Sequence, residues 1–175
     1  MKPCRPAGPA KAAVLFLLFF SGFALDFSVK RWAQAHLAGG PPIQVVPGFF
    51  ELRYAENAAV AFSLLYSLPG GLRQGVIYAF NGVAILGLLF LLYRWRKKGL
   101  AGLVPPVFIL SGALGNLYDR LVYGHVIDLF HLHYRERWSW PIFNPADVLI
   151  CLGMGLLLLF SRGELQKEVR GDDES

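Results

Sequence analysis

Charge is what this sequence has least of. Only 17% of its 175 residues are Asp, Glu, Lys or Arg, whereas 55% are hydrophobic. Soluble domains carry about a quarter charged residues, so the mean hydropathy of +0.45 points to membrane residence rather than a free globule. Cysteine is almost missing. Cys4 lies in a basic N-terminal segment and Cys151 in an apolar run, so no disulfide is expected, and no C-x-x-C spacing offers a zinc knuckle. H-E-x-x-H is absent, and so is G-x-S-x-G, which argues against a zinc protease and against a serine hydrolase of the elbow type. The net charge of +5 is not gathered into a long basic patch with interleaved aromatics, so no nucleic-acid partner is expected.

What the chain has instead is four apolar spans, at about residues 12–29, 75–93, 100–118 and 146–161. Each approaches the roughly 17–25 residues that cross a bilayer core. The first resembles a signal peptide in having Lys2, Arg5 and Lys11 ahead of it, but no A-x-A site closes it, and it reads as a retained helix. Basic residues crowd the N-terminal segment and the short link with Arg94, Arg96, Lys97 and Lys98, and the parity of four spans puts the charged tail at 164–175 on the same side. The positive-inside rule places these on the cytoplasmic side, with both termini inside and the longer connections, about 30–73 and 119–145, on the outer face. The setting expected is a bacterial inner membrane. In the first outer connection, Val45–Asn57 reads as extended runs around a Pro-Gly turn, and Ala59–Leu68 as a short interfacial helix.

Carboxylates are rare enough here that each needs a reason. Asn144, Pro145 and Asp147 have the order of an N-cap, a first-turn proline and a third-position acid, so helix capping alone accounts for Asp147. The same place would keep an ionised base at the lipid boundary. Asp128 sits in GHVIDLFHLHY, where an extended chain puts it on one face with Val126, Phe130, Leu132 and Tyr134. Desolvation on such a face raises a carboxyl pKa; the alternative is a partner for Arg120, Arg135 or Arg137. One acid pushed toward neutrality and one held ionised is what attack by an activated water requires.

Other polar residues have local readings beside functional ones. Asp119 next to Arg120 reads as an ion pair or helix cap, or as Arg120 organising a site with Asn116 one turn earlier. Asp26 and Lys30 are spaced as an i,i+4 pair. Ser111, Gly112, Ala113 and Gly115 suit close helix packing. His125, His131 and His133 fall on the strand face opposite Asp128, and no metal is expected at the site. A proton-coupled transporter or an assembly factor is the rival class. It predicts polar groups along several spans, whereas these spans hold little beyond Asn81 and small hydroxyls.

GALGNLYDRL, then GHVIDLF, then FNPADVLI, preceded by DFSVK and ENAAVAFS, resemble in order the lipoprotein signal peptidases (signal peptidase II). The resemblance covers all four spans and both outer loops. It implies an all-α membrane protein of four transmembrane helices, with a small outer-face β-sheet cradle and a short interfacial helix. It implies an aspartic endopeptidase with Asp128 and Asp147 as its dyad and no cofactor. Asn57, Asn116, Arg120 and Asn144 match positions that support the dyad or contact substrate, and Asp26 and Asp119 match structural acids. The partners implied are a prolipoprotein carrying a diacylglyceryl cysteine and the surrounding lipids, with the enzyme acting as a monomer. Ala59 stands where the family commonly has glycine, and Phe27 where a polar residue is common. Both departures bear on substrate contact rather than on the reaction.

Overall fold

The computed structural model describes residues 8–58, 69–135 and 137–172, with side chains left undescribed at residue 70 and from residue 163 onward. The expected interfacial helix at Ala59–Leu68 lies outside these residues, as does the substitution at Ala59. Eight elements follow in order: α1 (Pro9–His36), β1 (Ile43–Val46), β2 (Phe50–Asn57), α2 (Gly70–Trp95), α3 (Leu100–Tyr123), β3 (Val126–Tyr134), β4 (Trp138–Ser139) and α4 (Pro145–Asp172). All four helices are long and apolar enough to cross a membrane.

Apolar side chains cover the outside of the bundle, as expected where lipid replaces water. Phe16, Leu17, Phe80, Val83, Leu86, Phe90, Leu158 and Leu159 are all exposed. The buried helix is α3: 56% of its apolar window is enclosed, against 6% for α1 and for α2. It packs against α1, α2 and α4. Its small residues make that possible. A Cβ on Gly112 would stand 2.4 Å from the Ala146 carbonyl, and one on Gly115 2.4 Å from Asp26 Oδ2, so glycine is what lets α1 and α4 close on α3 at the depth of the acids. At the opposite end, Lys11 Nζ donates to the carbonyls of Arg96 and Lys98, bringing the basic N-terminal segment against the basic α2–α3 link.

Helix α1 outruns its apolar span and continues to His36. At 1.5 Å per residue its 28 residues measure about 42 Å, more than a hydrocarbon core of roughly 30 Å. The extra turns have a packing reason, because Ala33 and Leu37 are buried against Leu129 of β3. The sheet, of strand order β1-β2-β3-β4, thereby rests on the end of α1. The Pro47-Gly48 turn joins β1 to β2 as expected, and β2 pairs antiparallel with β3 across a register shift between Leu52 and Ala55. Strand β4, pairing Tyr134 with Trp138, was not legible as a separate element. The charged C-terminal segment continues the α4 helix to Asp172.

Candidate active site

Three elements bring the acids together. Strand β3 delivers Asp128, the first turn of α4 delivers Asp147, and the end of α3 delivers Asn116. Asn57 faces Val126 in the β2–β3 register, which leaves its side chain diagonal to Asp128 on the same sheet face.

Both readings of Asp147 turn out to apply at once. Asp147 N donates to Asn144 Oδ1 at 3.0 Å, while Asn144 N donates to Asp147 Oδ2 at 3.2 Å. This reciprocal capping box fixes the carboxylate at the helix end. Its other oxygen, Oδ1, accepts from Asn116 Nδ2 at 2.9 Å. Asp128 accepts from Asn57 Nδ2 at 2.9 Å through Oδ2 and from Asn144 Nδ2 at 2.6 Å through Oδ1. Asn144 therefore touches both acids, one through its backbone and one through its amide. Asp128 is 2% exposed. Burial pushes its pKa up to about 6, against the lowering effect of the Asn57 and Asn144 amides.

Beneath this pair lies a second one held by a cation. Lys30 is fully buried, with Nζ 2.9 Å from Asp26 Oδ2 and 3.0 Å from Asp119 Oδ2. The same ammonium donates to Asn116 Oδ1 at 2.9 Å, which leaves the Asn116 amide nitrogen to face Asp147. Asp26 Oδ1 accepts from Ala146 N at 2.8 Å, helping to hold the start of α4. The expected i,i+4 contact of Asp26 with Lys30 is present.

The expected pairing of Asp119 with its neighbour Arg120 is not. Adjacent helical residues point about 100° apart, so Asp119 turns toward α1 and meets Lys30 and Arg31, the latter at 3.0 Å, besides accepting from Ile127 N at 3.2 Å. Arg120 turns the other way. Its Nη1 donates to Asn116 O at 3.2 Å, and its carbonyl accepts from Tyr78 OH at 2.9 Å. Arg120 borders a cavity of about 150 Å³ shared with Arg73, Tyr78 and Ala58. Arg31 and Tyr78 were missed in the sequence. Arg31 had only its neighbour Lys30 as a signal, and the ring of Tyr123 that its guanidinium covers at 4.3 Å is remote in the chain.

On its other side Asp147 forms part of the wall of an apolar cavity of about 300 Å³, with Leu132, Trp140, Phe143, Val148 and Leu152. The two amide-bound carboxylates thus sit between a polar recess and an apolar one that opens beside lipid-facing helix α4. Of the acids and amides expected at the site, Asp128, Asp147, Asn57, Asn116 and Asn144 form one hydrogen-bonded set. Asp26 and Asp119 join it through Lys30, and Arg120 through the Asn116 backbone.

Comparison with known proteins fits this geometry. Residues 18–162 match the family model described as signal peptidase (SPase) II. A lipoprotein signal peptidase from Yersinia pestis (strain Pestoides F) is 41% identical over 137 residues, covering 77% of this chain and 78% of that protein. One from Clostridium novyi (strain NT) is 33% identical over 147 residues, covering 84% and 95%. A bacterial membrane enzyme solved by the in meso method at 2.3 Å superposes with a TM-score of 0.75 over 94% of this chain and 95% of that one, at 19% identity, and shares the fold.

Proposed function

We infer, from the premise that the chain belongs to the signal peptidase II family, that it is an intramembrane aspartic endopeptidase whose dyad is Asp128 and Asp147. The proposed substrate is a prolipoprotein bearing a diacylglyceryl cysteine, cut immediately before that residue. The setting is the inner membrane, with both termini cytoplasmic, the site toward the outer face and the enzyme acting as a monomer.

The observation that carries the reading is the shared contact of Asn144 with both carboxylates, inside a set whose other donors to them, among the described residues, are amides. Amide donors orient a carboxylate without neutralising it, so proton exchange stays open. Asp128, whose proton affinity burial raises, is the acid that holds the proton in the reactive form. Asp147 takes a proton from water as the oxygen attacks the scissile carbonyl carbon, and Asp128 donates its proton to the carbonyl oxygen. Asp147 then passes that proton to the amide nitrogen while Asp128 takes one back from a gem-diol hydroxyl, the C–N bond breaks to release acid and amine, and one proton again remains on the pair. The apolar cavity beside Asp147 suits a lipid chain or an apolar peptide segment, and Arg120 faces a polar recess fit for a backbone carbonyl.

The test is cleavage by the purified protein of a lipidated prolipoprotein beside the same peptide left unlipidated, with and without chelator. Cutting of the lipidated form only, undiminished by chelator, is expected. Equal cutting of both would remove the proposed specificity, and loss in chelator would move the chemistry from the acids to a metal.

A further inference from the structure

A second cluster lies on the sheet face turned away from Asp128. Alternate strand residues share a face, so His-Leu-His in β3 sets His131 and His133 side by side, with ring centroids 5.1 Å apart. The β2–β3 register places Glu51 directly opposite His131. Glu51 is 3% exposed. His131 Nδ1 lies 2.8 Å from Glu51 Oε1, and His133 Nε2 lies 3.8 Å from Glu51 Oε2. One ligand atom from each of the three lies within 4.8 Å of the others.

The decisive feature is the tautomer of His133. Its Nδ1 is 3.3 Å from the Arg135 carbonyl, which only accepts, so Nδ1 carries the hydrogen. In the neutral ring Nε2 then presents a lone pair to a carboxylate, shielded from solvent and with no hydrogen-bond partner. Two acceptors facing one another in a buried place are costly unless a cation sits between them. Donor atoms on one tetrahedral zinc stand roughly 3.3 Å apart, given bonds of about 2.0–2.1 Å, so a small inward shift completes the set.

The surroundings have the form of an outer shell. The ring nitrogen of His133 facing away is held by Arg135 O, and that of His131 by Ser139 Oγ at 2.8 Å. Moving the His131 proton from Nδ1 to Nε2, where Ser139 Oγ accepts it, frees Nδ1 for a metal at no change in ring charge. Arg53, 2.8 Å from Oε1, and Gln44 brace the Glu51 carboxylate. Arg135 and Arg137 line the same cavity, of about 290 Å³, and their charge favours water or an anion as the fourth ligand.

We propose that Glu51, His131 and His133 bind one divalent transition-metal ion of the zinc class, joining β2 to β3 on the face remote from the peptidase acids. Two imidazoles and one carboxylate with an open fourth position suit zinc better than calcium or magnesium.

The experiment uses the full chain, purified without a histidine tag and stripped with chelator. Zn²⁺ is titrated calorimetrically, Co²⁺ is followed by its visible d–d absorption, and Tm is read with and without Zn²⁺. Expected are one Zn²⁺ per chain, an intense four-coordinate Co²⁺ spectrum and a Zn²⁺-dependent rise in Tm. His131→Gln and His133→Gln lose all three signals, with their folding checked by circular dichroism. Ser139→Ala, which keeps every ligand, binds about 10-fold more weakly. The proposal is overturned if the wild-type chain takes up no Zn²⁺ or Co²⁺, or if the double histidine variant binds like wild type. Prolipoprotein cleavage by Asp128→Asn and Asp147→Asn, measured without chelator, tests the peptidase reading separately, so the two can fail independently.

Discussion

Two pairs of buried aspartates stand a few side chains apart and are held in opposite ways. Asp26 and Asp119 share the ammonium of Lys30, while among the described residues Asp128 and Asp147 accept their hydrogen bonds from amides. A cation in contact holds both carboxylates in place through charge-assisted hydrogen bonds. Amides orient the other two and leave burial to raise the proton affinity of Asp128. One arrangement braces the later parts of α1 and α3 against the start of α4. In the proposed mechanism the other keeps a proton within reach of the attacking water. Asn116 joins them, accepting from Lys30 and donating to Asp147, so the braced pair sets the geometry of the exchangeable one.

The sharpest way to separate the pairs is to remove the charge from each acid in turn. Asp128→Asn and Asp147→Asn should each lower kcat by about 10³-fold or more, at the upper end of acid–base contributions, with the protein still folded in the membrane. Substantial cleavage by either variant strikes that residue from the mechanism. Lys30→Met should act on stability first. It leaves two buried carboxylates without their cation, a loss on the order of 3–5 kcal/mol, read as a large fall in Tm; an unchanged Tm means that Lys30 is not the brace.

A smaller effect is expected from Gly115→Ala. The new methyl would meet Asp26 Oδ2 at 2.4 Å, and such overpacking costs about 1–3 kcal/mol. Adding Asp26→Asn should relieve little, because the clash is steric. If Gly115→Ala is neutral, the close approach of α1 to α3 is not what positions Asp26. The smallest effect concerns pH. Asn57 donates to Asp128 and favours its ionised form, so Asn57→Ala should raise the Asp128 pKa above about 6. The limb of the pH–rate profile near that value then moves to higher pH, with the plateau kcat changed far less than in the aspartate variants. A limb that stays in place assigns that titration elsewhere.

Much of the site could be read along the chain because it is local. The order Asn144-Pro145-x-Asp147 specifies its own capping box, and alternation in β3 specifies the face that Asp128 occupies. The Asp26–Lys30 contact follows from helical spacing. Expectation failed where partners are distant in sequence. Asp119 was set against adjacent Arg120, whereas Lys30 and Arg31, on another helix, hold it. Helix α1 was ended at its last apolar residue, whereas packing of Ala33 and Leu37 under the sheet carries it to His36.

By itself, then, the sequence determined four membrane-length helices, an outer hairpin, a capped Asp147 and an Asp128 on an apolar strand face. These depend on periodicity and on neighbours within a few residues. Only the tertiary structure decided which acids are tied to Lys30 and which to amides, and that Glu51 stands opposite His131. The pairings of Lys30 with Asp119 and Asn116, and of Glu51 with His131, join residues about 80 or more positions apart, and it is the close approach of α1 to α3 and the β2–β3 register that bring them within a hydrogen-bond length.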